Sequence, residues 1–171
     1  MHKKSKKLVS KKSKRVVMVS GGFDPVHIGH VRLFQEAKKL GDELVILLNN
    51  DNWLRLKKGY AFMPQHERKE IIEAFSVVDR VVLSSHKKNT KDISVVEDIK
   101  IIRPHIFAKG GDRTYDNIPE VPICEELNCR MVFNLGKGGK VQSSSDLVKK
   151  SVLKHNPSSR AKLTTGRGKK K

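Results

Sequence analysis

Between residues 21 and 30 the chain reads GGFDPVHIGH. The stretch follows an apolar run, RVVMVS (15–20), and precedes VRLFQEAKKL, which has a helical pattern. Gly21 and Gly22 remove side chains where the backbone turns out of that run, so main-chain N–H groups can approach an anion closely. A helix that starts just afterwards adds its positive N-terminal end. His27 and His30 stand three apart, so in a first helical turn they project from neighbouring positions. Two imidazoles beside a helix N-terminus form a compact surface for a phosphate whose charge is increasing. Gly29 between them leaves room for a nucleotide to pack against the helix. Taken singly, a histidine pair at a helix start reads as a capping or surface feature, and a glycine pair as a turn. The joint pattern G-x-F-D-x-x-H-x-G-H between a strand and a helix is far more specific.

Such a turn needs elements to hold it. HVRLFQEAKKL places Val31, Phe34, Ala37 and Leu40 near one helical face, and Gly41 is a natural stop. ELVILLN (43–49) is apolar throughout rather than alternating, as in a strand covered on both faces of a parallel sheet. NDNWLRLKKGYAFM reads as a loop, and Pro64 opens a helix, QHERKEIIEAF, with Ile71, Ile72 and Phe75 facing inward. Strands follow over 77–84, HIFAKG and RMVFNLG, separated by helical stretches ISVVEDIKII and PEVPICEELN and closed by SSSDLVKKSVLK. About five β-α units in succession predict a single α/β domain, a Rossmann-like doubly wound parallel sheet. Ligands in such folds bind beyond the carboxyl ends of the strands. The loops at 21–27, 49–64, 84–92, 109–118 and 136–143 should therefore open on one edge.

With these elements in place, GGFDPVHIGH resembles the signature of the cytidylyltransferase-like nucleotidyltransferase superfamily. That superfamily includes glycerol-3-phosphate cytidylyltransferase and heptose-1-phosphate adenylyltransferase. The likeness runs over roughly residues 16–154, through LLNNDNWLRLKKG, QHERKEIIEAFSVVDRVV, FAKGGDR and VQSSSDLVKK. It implies transfer of CMP or AMP from CTP or ATP to a phosphorylated small alcohol or sugar, with release of pyrophosphate. It implies that His27 and His30 contact the phosphates and stabilise the transition state, and that Lys58 pairs with phosphate, with Lys57 as a second candidate. Gly22, Phe23 and Asp24 would shape the nucleotide loop. Arg68 would face the phosphate region, as a substrate contact, or brace it. Asp112 would sit at the rim of the fourth strand, and Ser143, Ser144 and Ser145 would donate to phosphate from a helix N-terminus. Mg²⁺ is expected on the triphosphate, without a dedicated carboxylate cage. A homodimer is also implied.

Some positions depart from the superfamily's pattern. Gly22 stands where many relatives carry threonine or cysteine, and GKGGKVQSSS has no arginine ahead of its serines, which leaves the choice between CTP and ATP open. Trp53 reads as lid packing or as a platform for substrate. Lys87, Lys88 and Lys91 read as a solvated turn or as a clamp on an anion.

The formal net charge of +18 is not spread evenly. Residues 1–15 carry eight Lys/Arg and residues 149–171 carry nine, both without an acid, while 16–148 hold 19 basic residues against all 18 acidic ones. Residues 1–15 and 155–171 thus read as basic disordered tails flanking a nearly neutral domain. They open a second reading, a non-catalytic nucleotide- or nucleic-acid-binding module that grips polyanions nonspecifically through its tails. The letters HIGH at 27–30 also match a class I aminoacyl-tRNA synthetase signature, but the chain is short for such an enzyme and has no KMSKS-like loop. Cys124 and Cys129 fit neither a metal nor a disulfide pattern and read as thiols in a reducing compartment. No apolar run approaches the roughly 18–20 residues that span a bilayer, and the N-terminus lacks the apolar region of a secretory leader. A cytoplasmic protein without a transmembrane segment is expected.

Overall fold

A computed structural model describes residues 13–111, 118–136 and 143–155. The tail expectations for 1–12 and 156–171 lie outside the described residues, as does Asp112. Among the described residues the elements run β1 (Val16–Gly21), α1 (Ile28–Lys38), β2 (Glu43–Leu48), α2 (Asp51–Lys58), α3 (Gln65–Glu73), β3 (Arg80–Leu83), α4 (Val96–Ile102), β4 (Ile106–Gly110), α5 (Val121–Glu126), β5 (Arg130–Leu135) and α6 (Ser144–His155). The strands form one sheet in the order β3-β2-β1-β4-β5, and every pairing is parallel. The doubly wound α/β sheet expected from the sequence is the fold that forms.

The continuous apolar runs explain the arrangement. In β2, Leu44 to Leu48 are all wholly buried, because helices cover both faces of the sheet. One face packs Val17, Val19, Leu44 and Ile46 against Leu33, Phe34 and Ala37 of α1 and Ile72 of α3. The other packs Met18, Leu47 and Phe107 against Ile99 of α4 and Ile123 and Cys124 of α5. Chain order reverses at β1, which lies between β2 and β4. A doubly wound sheet opens its ligand crevice at such a switch point.

Two local expectations are corrected. Residues 51–58 form a helix rather than part of a loop. Its ends carry ordinary signals: Asn50 accepts from the Trp53 N–H as an N-cap, Asp51 opens the first turn, and Gly59 closes the helix at φ 84°. In α3, Ile72 is buried, but Ile71 is 39% exposed, because the inward position beside Ile72 is taken by Arg68.

Between β4 and β5 the register slips from Ala108↔Val132 to Gly110↔Leu135, so β5 carries an extra residue opposite Lys109. Asn134 takes the left-handed backbone there, at φ 59°. The bulge lies at the carboxyl edge, beside the cleft.

Candidate active site

The turn from β1 into α1 is built by its own side chains. Phe23 adopts φ 47° and folds its ring back under the turn, edge-on to His30 at 4.9 Å and to Phe34 at 5.1 Å. A Cβ on Gly21 would lie 2.7 Å from that ring, so Gly21 is the space into which Phe23 folds. His27 is the N-cap of α1. Its Nδ1 accepts from the Gly29 N–H at 3.1 Å, and the Nδ1 of His30 accepts from the His27 N–H at 3.2 Å. This is a reciprocal capping box made of two imidazoles. A Cβ on Gly29 would fall 2.9 Å from the His27 ring, so the immediate neighbour that needs this glycine is the imidazole.

Because both Nδ1 atoms accept backbone hydrogens, each neutral ring carries its proton on Nε2. The rings stack with centroids 3.7 Å apart and planes 25° apart. Burial, then His27 and Lys58, push His30 from 6.5 down to about 3. Burial and Lys58 also lower His27. At neutral pH the pair is therefore uncharged, two N–H donors held at the positive end of an 11-residue helix.

Behind this turn stands a buried frame. Both carboxylate oxygens of Asp24 accept backbone hydrogens, from Phe62 and Met63 at 2.7 Å each, and Asp24 is 1% exposed. Lys58 Nζ donates to the Asp24 carbonyl at 3.2 Å, and burial lowers its ammonium, with Asp24 opposing and Arg68 adding to that shift. Arg68 has no exposed surface. Its guanidinium donates to the carbonyls of Met63, Gly22 and Asn49 and pairs with Asp51 at 2.7 Å. Of the two roles expected of Arg68, this geometry is the brace: its donors face protein, and it ties β1, β2 and the α2–α3 loop together.

An open cleft of about 480 Å³ lies over the switch point. Its near wall is the histidine turn, with Gly22, Phe23 and Arg32. Its far wall comes from distant segments: Asn49 after β2, Trp53 of α2, Ile93 and Val95 before α4, Lys109 of β4 and Glu120 before α5. Trp53 is anchored by its indole N–H, which donates to the Ile93 carbonyl at 2.8 Å. Glu120 is 5% exposed; one oxygen accepts from the Val95 N–H at 3.1 Å and the other faces Lys109 Nζ at 3.5 Å. Lys109 Nζ also approaches Ser20 Oγ at 3.5 Å and lies over the Phe107 ring. Asn49 is 4% exposed, and its buried Oδ1 has no hydrogen-bond partner among the described residues.

Of the residues singled out from the sequence, Gly22, Phe23, His27, His30, Lys57, Ser143 and Ser144 line this cleft, while Asp24, Lys58 and Arg68 stand behind it. Ser143 caps α6 by accepting from the Asp146 N–H, and Ser144 Oγ donates to the Pro25 carbonyl, which joins α6 to the histidine turn. Ser145 is half-buried and does not line the cleft. Lys87, Lys88 and Lys91 are exposed and lie off it; Lys88 borders a separate hollow with Arg55 and Asn89. Asn49, Lys109 and Glu120 were not anticipated. The signal that points to Asn49 and Lys109 is position alone, a polar residue at the carboxyl end of an apolar strand. Among the described residues no group of three or more His, Cys, Asp or Glu is placed to hold a metal ion.

With this geometry in hand, the likenesses to known proteins take on meaning. The cytidylyltransferase-like family profile matches residues 18–149. The chain is 34% identical over 125 residues to the bifunctional protein HldE of Desulfatibacillum aliphaticivorans, a match that covers 72% of this chain and 24% of that protein. It thus spans about a quarter of the length of such relatives. It is 32% identical over 139 residues to the FAD synthase of Pyrococcus horikoshii, covering 81% of this chain and 85% of that one. Among solved structures, the lipopolysaccharide core biosynthesis protein from Thermoplasma volcanium GSS1 superposes with a TM-score of 0.59 at 26% identity, covering 72% of this chain and 98% of the other.

Proposed function

The chain belongs to the cytidylyltransferase-like family, and from that premise we propose that it is a nucleotidyltransferase. A phosphate oxygen of a phosphorylated acceptor attacks the α-phosphorus of ATP or CTP. A new P–O bond forms, the bond between the α-phosphorus and the bridging oxygen breaks, and pyrophosphate leaves. Mg²⁺ enters with the triphosphate as part of the substrate.

The observation that carries this reading is the stacked, neutral His27–His30 pair at the start of α1, with Nδ1 of each ring engaged by backbone. Phosphoryl transfer relies on alignment and charge stabilisation more than on a protein nucleophile. Two preoriented Nε2–H donors, a helix N-terminus and the nearby Lys58 meet charge as it builds on the transferring phosphate. Neutral rings suit this role, because a stacked pair of cations would have to be held against its own repulsion before the triphosphate arrived. Lys57 and Ser143 line the same cleft and extend the donor set.

The test is pyrophosphate release with Mg²⁺, pairing ATP and CTP with a panel of phosphorylated alcohols and sugars, in the full chain and in His27→Asn. Asparagine keeps a side-chain acceptor for the Gly29 N–H while removing the imidazole. Turnover by wild type and its loss in a folded variant support the reading. Wild-type rates in His27→Asn would overturn it.

A further inference from the structure

Cys124 and Cys129 are the chain's two cysteines, and no motif in the sequence pairs them. The fold does. Helix α5 ends in a left-handed cap, where Asn128 takes φ 52°. The Asn128 N–H donates to the Glu125 carbonyl at 3.1 Å, and the Cys129 N–H donates to the Cys124 carbonyl at 2.7 Å. These are the two hydrogen bonds of a Schellman motif, which sets the second residue past the cap against the third-last residue of the helix. Here both positions are cysteine. Both are buried as free thiols in one apolar cluster with Met18, Phe107 and Met131.

An apolar contact between these two positions is the usual companion of the motif, and any aliphatic pair would supply it. The thiols do more than pack. A hydrogen bond from Cys124 lowers Cys129, burial opposes that shift, and the backbone of Phe107 adds to it. The same contact, then burial, raises Cys124. One sulfur is thus disposed to be the thiolate and its neighbour to keep the proton, the arrangement that oxidants convert to a disulfide. We propose that Cys124 and Cys129 form a redox-modification site, which closes to an intramolecular disulfide when hydrogen peroxide reaches Cys129. The Cys129 thiolate attacks the peroxide: an S–O bond forms, the O–O bond breaks, and the departing hydroxide takes up a proton as water. Cys124 then attacks the sulfenic sulfur, an S–S bond forms, and a second water leaves with the Cys124 proton. The sulfurs lose two electrons in all, and the peroxide gains them. The Cys124 N–H donates to the Glu120 carbonyl at 3.1 Å, so the site lies one helical turn from the Glu120–Lys109 pair of the cleft.

The test uses the full folded chain, in which every thiol belongs to one of these two residues. Hydrogen peroxide is added, the excess is removed, and the chain is denatured and alkylated. Wild type should lose both alkylatable thiols together, at a rate that rises with peroxide concentration. It should remain a single chain on denaturing electrophoresis and regain both thiols with dithiothreitol. Cys124→Ala should stop at a Cys129 sulfenic acid, which dimedone traps. Cys129→Ala should react at least about tenfold more slowly, because Cys124 keeps its proton. Thermal midpoints show that both variants are folded.

Two thiols surviving the peroxide, chains cross-linked to one another, closure at a rate independent of peroxide, or equal oxidation rates in the two variants would each overturn the proposal. Should either variant fail to fold, the wild-type thiol count and its reversal by dithiothreitol decide alone. None of these readouts needs turnover, so the site and the transferase reading stand or fall separately.

Discussion

The two walls of the cleft are made in opposite ways. The near wall is contiguous: residues 21–30 cap, stack and make room for one another, and both histidine Nδ1 atoms are satisfied within the turn. The far wall is assembled by topology from segments spread between Ser20 and Glu120, and it holds the Asn49 Oδ1, a buried carbonyl without a donor among the described residues. The first is a rigid, finished device for charge. The second leaves one buried acceptor unpaired among the described residues. Arg68 is common to both, because one guanidinium nitrogen donates to Gly22 of the near wall at 2.6 Å and to Asn49 of the far wall at 2.9 Å.

Arg68→Ala is therefore the change that breaks both walls together. It strands Asp51 and three carbonyls in a buried frame, and removing one partner of a buried pair costs about 3–5 kcal/mol. Denaturant unfolding should show a loss of that size, and pyrophosphate release should fall with it, because both walls lose a common tie. A surface arginine would show almost none.

The near wall alone is broken by His27→Asn. Pyrophosphate release should fall by roughly 10²–10³-fold, the usual loss for one preorganised donor. Denaturant unfolding should stay near wild type, because asparagine keeps the N-cap acceptor, which separates this change from Arg68→Ala.

Acid sharpens the contrast more gently. The His30 pKa lies at about 3 in the folded chain against 6.5 ordinarily. Between those values the unfolded chain takes up a proton that the folded chain refuses, so stability rises with pH through this window. As pH falls below 6.5, up to about 1.4 kcal/mol per pH unit should be lost for that histidine. Thermal unfolding from pH 7 to 4.5 checks this, and His30→Gln should flatten the slope.

Gly29→Ala is the mildest test. The added methyl crowds the His27 ring at 2.9 Å while favouring the helix, so stability should hold and turnover should drop about tenfold. Unchanged turnover would mean that the ring position is not critical.

The same contrast explains what was legible in the sequence. The β-α order, the parallel sheet and the motif at 21–30 could be read, because each rests on neighbours along the chain. Helix α2 is hard to tell from loop in the sequence although Asn50 and Gly59 mark its ends, since of its eight residues Leu54 alone is buried. Arg68 looked like a residue facing phosphate or bracing it, and only its three-dimensional neighbours decide. Asn49, Lys109 and Glu120 meet across strands that the sequence separates by up to 71 positions. No local pattern encodes that meeting; the sheet order does.

That order has a consequence for the birth of the protein. β1 is made before the other four strands of its sheet, yet it lies in the middle, and its partner on one side, β4, pairs Val17 with Ile106 and Val19 with Ala108. Until some ninety further residues have left the ribosome, one edge of β1 has nothing to bond with. An open strand edge is a template for pairing with another chain, so a growing chain passes through a stretch in which its histidine motif is already made but its central strand is still sticky. Nonlocal parallel pairing is slow for the same reason. Within this sheet the histidine turn is made before the strand that completes its setting, and the open edge of β1 is covered only when β4 pairs with it.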